Sequence, residues 1–177
     1  MKGMRVTATR IELLRRMAAF GGMREDALER ILHESDDIEK SVGDMFFSQG
    51  DTGESLFILE SGSVSVLREW EGNQIPLSTL GPGDCFGEMS LIDFQKRSAS
   101  VVAKTECRAI EVSRKSIASL CQEDLQQYTM IMMNLGREVS RRLRKADQRL
   151  FELRRLLEPQ TLIEPLKELQ NHHHITS

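Results

Sequence analysis

A carboxylate and a guanidinium stand nine residues apart in the run FGEMSLIDFQKRSASVV, Phe86–Val102. Glu88 directly follows a glycine, and Arg97 directly precedes the small residues Ser98, Ala99 and Ser100. The segment GPGDCFGEMSLI opens with turn residues and continues as one predicted helical turn from Glu88 to Ile92. The first amides of a helix have no internal acceptors and lie at the positive end of its dipole, so such a turn can seat an anion. Arg97 adds a planar fork of donors that matches two oxygens of a phosphate. The small residues beside it let a ligand approach the backbone, and Ser98 brings a hydroxyl. A carboxylate next to a phosphate is repelled unless it has a donor to accept, and a sugar hydroxyl is one. These residue types therefore imply a nucleotide with a single negative charge: one phosphate, one ribose hydroxyl and a flat apolar remainder. Without further context, the same two residues also fit a surface ion pair worth about 0–1 kcal/mol.

Three regimes of periodicity supply a frame for that site. From Arg10 to about Leu32 the apolar residues recur at helical spacing with a break at Gly21-Gly22, which predicts two short helices. From Ile38 to Val112 short runs alternate with glycine punctuation (VGD, QGDTGES, ESGSVSV, EGNQ, LGPGD). Alternating residues such as Ser63-Val64-Ser65-Val66 and short apolar runs such as Leu56-Phe57-Ile58-Leu59 predict many brief antiparallel strands. Closing them into a roll also removes unpaired strand edges. From Ser116 helix formers dominate, and Thr129, Met132, Gly136, Val139, Leu143, Ala146, Leu150, Leu153 and Leu157 form a heptad seam ended by Pro159. The first two turns of that seam are expected to pack on the chain's own barrel. Beyond Val139 it outruns what a small roll can cover, so helix 129–157 is expected to pair with a second copy as a homodimer. The expected fold is α+β: a helical segment 1–37, a jelly-roll-like double-stranded β-helix 38–113, C-terminal helices 114–158 and a tail 159–177.

Composition narrows the function. The chain has 177 residues, 40% hydrophobic, with a net charge of −3, so neither disorder nor a strongly basic surface is indicated. Its three cysteines, Cys85, Cys107 and Cys121, lie far apart without metal or redox spacing. A metal-dependent enzyme on this roll needs clustered histidines, and none occurs between Ile38 and Val112. No serine or cysteine has an evident base partner, so neither an enzyme nor a metal cofactor is expected, and His172–His174 read as incidental. With no leader and no apolar run near the roughly 18 residues of a membrane span, a cytoplasmic location and no membrane partner are expected.

FGEMSLI…KRSASV resembles the phosphate-binding cassette of the cyclic nucleotide-binding domain family, F-G-E-x-[AS]-L, a short gap, then R-[STA]-A. VGDMFFSQGDTGESLFILESGSVSV resembles the strand-and-glycine framework of the same family, and the resemblance covers roughly Met17–Leu150. It implies a β-roll flanked by N-terminal helices and a long C-terminal helix that closes over the ligand. Carried onto matching positions, Arg97, Ser98 and Ala99 hold the cyclic phosphate, and Glu88, with Gly87 and Met89, holds the ribose. Val66 and Leu77 line the base pocket, and Arg142, Ala146 and Asp147 on the long helix approach the purine. Two residues depart from the pattern: Lys96 replaces a common proline before the arginine, and Ser90 a common alanine. RSASVVAKTECRAIEVS is most similar to the bacterial catabolite activator branch, which favours cAMP over cGMP. In that branch the long helix leads into a DNA-binding helix-turn-helix, whereas only 20 residues follow Leu157. The helix is basic, with eight Lys/Arg against three Asp/Glu from Arg137 to Arg155. It is read as a solvated coiled-coil flank, so nucleic acid is not an expected partner. The output is expected to pass to a separate effector protein. The alternatives are a roll that has lost its ligand and only dimerises, and a relative of the transcription regulators that has lost its DNA-binding domain.

Overall fold

The structure, a computed structural model, describes residues 7–157. The chain divides into two units, Met1–Glu138 and Val139–Ser177. The first begins with α1, Ala8–Arg16, capped by the Thr7 side chain, which accepts from the Arg10 amide, and closed by Arg15 and Arg16 in the last turn. After a 3₁₀ turn, Ala18–Phe20, comes α2, Glu25–His33, with Glu25 and Asp26 at its positive end and Arg30 and His33 at its negative end. The expected break at Gly21-Gly22 separates them. Apolar spacing puts Ile11 and Leu14 of α1 and Ala27, Leu28, Ile31 and Leu32 of α2 on buried faces.

Eight strands follow: β1 Asp36–Lys40, β2 Met45–Phe47, β3 Ser55–Ser61, β4 Val64–Trp70, β5 Asn73–Leu80, β6 Cys85–Phe86, β7 Ser100–Ala103 and β8 Cys107–Ser113. They form two antiparallel four-stranded sheets, ordered β1-β8-β3-β6 and β2-β7-β4-β5. This is the expected α+β roll. A short helix, α3, Met89–Asp93, lies between β6 and β7, and α4, Arg114–Glu123, follows β8 behind the cap Ser113. The first strand begins at Asp36, two residues before the apolar signal of Ile38.

Three turns share one chemistry. In SVGD, SQGD and GPGD the aspartates Asp44, Asp51 and Asp84 accept from the amides of Ser41, Ser48 and Gly81 at 2.9, 2.8 and 2.9 Å. The residue before each aspartate is a glycine with φ of 89°, 88° or 87°, the value a type II turn demands at its third position.

Strand β3 explains the continuous apolar run in the sequence. Leu56 and Ile58 point to a core shared with α1, α2, α4 and the start of the last helix; Phe57 and Leu59 point to a core between the sheets. With both faces covered, alternation disappears from the hydropathy although it persists in space.

The last helix, α5, spans Leu125–Leu157. Within the first unit it buries Gln127, Ile131, Asn134 and Leu135. That corrects the expectation for the seam's first turns in part: Met132 is half-buried against the same core, whereas Thr129 is exposed and the most buried residues form a neighbouring stripe. It packs on the N-terminal helical segment, where Asn134 Nδ2 donates to the Gly21 carbonyl at 2.8 Å and Gln127 Oε1 accepts from the Arg24 amide at 2.8 Å. In the second unit, Leu143, Leu150, Leu153 and Leu157 are exposed along α5. The predicted tail and His172–His174 lie outside the described residues. Among the described residues no helix is long and apolar enough to cross a membrane.

Candidate functional site

Arg97 is buried, with 5% of its surface exposed, and so is Glu88, with 1%. A surface ion pair is thereby excluded. The guanidinium is held by main chain rather than by a carboxylate: Nη1 donates to the Gly87 carbonyl at 2.7 Å and Nη2 to the Ser55 carbonyl at 2.8 Å. Its plane lies over Phe47, Cζ to ring centroid 4.1 Å, an arrangement worth up to about 2 kcal/mol away from water. Phe47 itself lies against Phe57 and Phe86 at 5.8 and 6.1 Å, two rings that stack on each other at 5.4 Å. The backbone of Arg97 is fixed by two reciprocal bonds with the preceding turn, Arg97 N–H to Asp51 O and Gly50 N–H to Arg97 O, both 2.9 Å.

One nitrogen of that guanidinium is left without a partner. Arg97 Nε is buried and has no acceptor among the described residues. A buried N–H without a partner costs about 1–3 kcal/mol, and an anionic oxygen reaching it recovers that cost. Burial, the largest influence, pushes the Arg97 pKa down. Glu111, Asp51 and Glu88 work against the shift, and the neighbouring Arg114 guanidinium adds to it. The guanidinium stays a cation throughout, and a bound phosphate would offset the cost of burying that charge.

Glycines make room for this geometry. Gly87 has φ 81°, and a Cβ there would stand 2.5 Å from Arg97 Nη1. Gly53, in the loop before β3, is tighter: a Cβ would lie 2.4 Å from Ser90 Cβ and 2.9 Å from Arg97 Nε. Ser90 Cβ is fixed by α3, so the backbone would have to move. Gly53→Ala should therefore lower unfolding stability by about 1–3 kcal/mol, read as an earlier urea or thermal midpoint.

The predicted residues fall as follows. Gly87, Glu88 and Met89 form the corner into α3, where Glu88 occupies the N-cap position but its side chain makes no capping bond. The Glu88 carbonyl accepts from the amides of Leu91 and Ile92. The amides that open α3 have no acceptor within their own helix. Ser98 is exposed, its hydroxyl 3.8 Å from Met89 Sδ, so both sides of the cassette meet there. Ala99 is buried, and Ser100 Oγ accepts from the Gln49 amide at 2.8 Å. Val66 pairs with Val101 across β4 and β7 and packs against the inter-sheet core. Leu77 lies at the register break of β5, between Pro76 and Ser78, and is 49% exposed. Arg142, Ala146 and Asp147 belong to the second unit, on α5.

Four contributors carried no signal of their own in the sequence. Ser55 and Gly53 act through backbone, Phe47 reads as an ordinary strand residue, and Arg114 follows a strand end. The only available hint was that QGDTGES and FGE share the glycine-rich punctuation of one frame.

Comparison with known proteins agrees with the geometry. Residues 39–124 match the family described as cyclic nucleotide-binding domain. Over 106 residues the chain is 39% identical to the cyclic AMP receptor protein of Thermus thermophilus, covering 59% of this chain and 47% of that one. Over 143 residues it is 30% identical to the CRP-like cAMP-activated global transcriptional regulator of Mycobacterium tuberculosis, covering 80% and 62%. The crystal structure of the Thermus thermophilus catabolite activator protein superimposes with a TM-score of 0.67 at 33% identity, over 77% of this chain and 62% of that one. The chain thus spans between about half and two thirds of these relatives' length. A buried arginine and a buried carboxylate beside a glycine corner, on a roll of this fold, agree with that match: residues 39–124 form a cyclic nucleotide-binding domain, similar to those of the catabolite activator-like proteins.

Proposed function

We propose that the protein is a non-enzymatic cyclic nucleotide sensor that takes cAMP in preference to cGMP and signals through α5 to a partner protein. The observation that carries this reading is the Arg97 guanidinium. It is buried, lies over Phe47, is tied to two carbonyls, and keeps an unpartnered Nε–H for an incoming anion. The residues fit the ligand: the amides opening α3, Ser98 and Arg97 hold the cyclic phosphate, and Glu88 accepts the ribose 2′-hydroxyl. Val66 and Leu77 border the base. Two relatives named for cAMP support the choice of nucleotide. Calorimetric titration with cAMP and cGMP tests it. Saturable binding of about one cAMP per chain, tighter than cGMP, is expected; equal affinity for the two overturns the preference, and no heat from either overturns the sensor.

In the same reading α5 dimerises through Leu143, Leu150, Leu153 and Leu157, which are exposed on the single chain. Ligand capture then acts on α5 by its differential affinity for two states of the helix. Leu150→Asp places a charge in that seam. The wild type should sediment as a dimer at roughly 10–100 µM and the variant as a monomer. A monomeric wild type in that range contradicts the dimer.

A further inference from the structure

A second guanidinium stands beside the first. Arg114, the first residue of α4, sends Nη2 to the carbonyls of Gly53 at 2.8 Å and Ser90 at 3.0 Å. One side chain thereby ties the loop before β3 to α3, at the spot where Gly53 abuts Ser90 and Arg97 Nε. The Arg114 amide donates to the Glu54 carbonyl at 2.7 Å, fixing the start of α4 on the same loop. At the far end of α3, Phe94 adopts a left-handed conformation, φ 58°, that a bulky side chain holds only under constraint. Its ring lies 4.8 Å from the Arg114 guanidinium. Arg114 makes no ion pair among the described residues, and its buried Nε has no acceptor there.

We propose that Arg114 is a positioning residue of the cyclic-phosphate site: it clasps α3 to the Gly53 loop, holds Arg97 in its seat, and ties the cassette to the first turn of α4. This rests on the sensor reading above. A clasp made of two carbonyls and one guanidinium has no need of an arginine for charge neutralisation, since it has no carboxylate partner among the described residues. It does need the planar donor geometry, which a lysine lacks. It also explains how a left-handed phenylalanine is kept in place at the end of a helix of only five residues.

The test has two arms. In the ligand-free protein, Arg114→Lys should speed amide exchange at Leu91 and Ile92, whose bonds to the Glu88 carbonyl define α3, while amides between β3 and β8 keep their protection. Unchanged exchange at α3 overturns the clasp. In titrations with cAMP, Arg114→Lys should weaken binding about tenfold on the wild-type background and leave it nearly unchanged on an Arg97→Lys background, because the two residues act in series. An equal loss on both backgrounds, or none on either, overturns the assignment. Arg114→Gln, shorter and neutral, should lose at least as much affinity, and full retention counts against the proposal equally. A wild type that takes up no cAMP overturns the sensor reading instead, and the exchange arm still decides whether Arg114 holds α3.

Discussion

Replacing Arg97 by alanine should abolish most of the affinity for cyclic nucleotide. A charge-assisted hydrogen bond contributes about 1.5–3 kcal/mol, and every 1.4 kcal/mol is tenfold, so the expected weakening is at least about 10–150-fold. Arg97→Lys should recover little. An ammonium cannot hold the carbonyls of Gly87 and Ser55 together while stacking on Phe47, and it has no Nε donor to offer. Both variants should also melt earlier than the wild type, because two buried carbonyls lose their donor. Titration is therefore read under conditions where circular dichroism shows each variant folded. Wild-type affinity in Arg97→Ala would remove this arginine from the site.

Gly87→Ala should produce the second large effect, through geometry alone. A residue with a side chain at φ 81° carries about 1–2 kcal/mol of strain. The added methyl also meets Arg97 Nη1 at 2.5 Å and the Ser55 carbonyl at 3.2 Å. The guanidinium is the softer neighbour, so it should yield, breaking its bond to the carbonyl of the substituted residue. Thermal stability and affinity for the cyclic nucleotide should fall together, the latter about tenfold or more. No charge is altered, so an undiminished affinity would mean that the seat of Arg97 does not matter for binding.

These two residues and Glu88 were legible in the sequence because side-chain chemistry announces them. A carboxylate directly after a glycine and an arginine directly before three small residues demand partners, and the glycine marks a corner. The strands were legible for a similar reason, since the SVGD, SQGD and GPGD turns write their conformation into residue type. The inner wall of the site was not. Ser55 contributes a carbonyl from 42 residues away, which any residue could supply, and Gly53 contributes a carbonyl and the space it leaves. Arg114 left no mark in the sequence either, because its partners are also carbonyls.

The long helix was misread in one respect, for a physical reason. Its first turns carry two overlapping stripes. The heptad seam runs through Thr129, Met132 and Gly136, whereas the face that meets the N-terminal helices runs through Gln127, Ile131, Asn134 and Leu135. Half of that second stripe is polar. Gln127 and Asn134 are buried because each finds a backbone partner, the Arg24 amide and the Gly21 carbonyl. Hydropathy cannot register burial that hydrogen bonding makes possible. Farther along, Leu143, Leu150, Leu153 and Leu157 of the seam are exposed, and so are Phe151 and Leu156 outside it.

The most direct measurement is an experimental structure of the protein grown with cAMP. A phosphate oxygen within hydrogen-bonding distance of Arg97 Nε, with the ribose 2′-hydroxyl on the Glu88 carboxylate, is the expected result. A nucleotide bound elsewhere, or a guanidinium that keeps both carbonyls and leaves Nε untouched at saturating ligand, would contradict it.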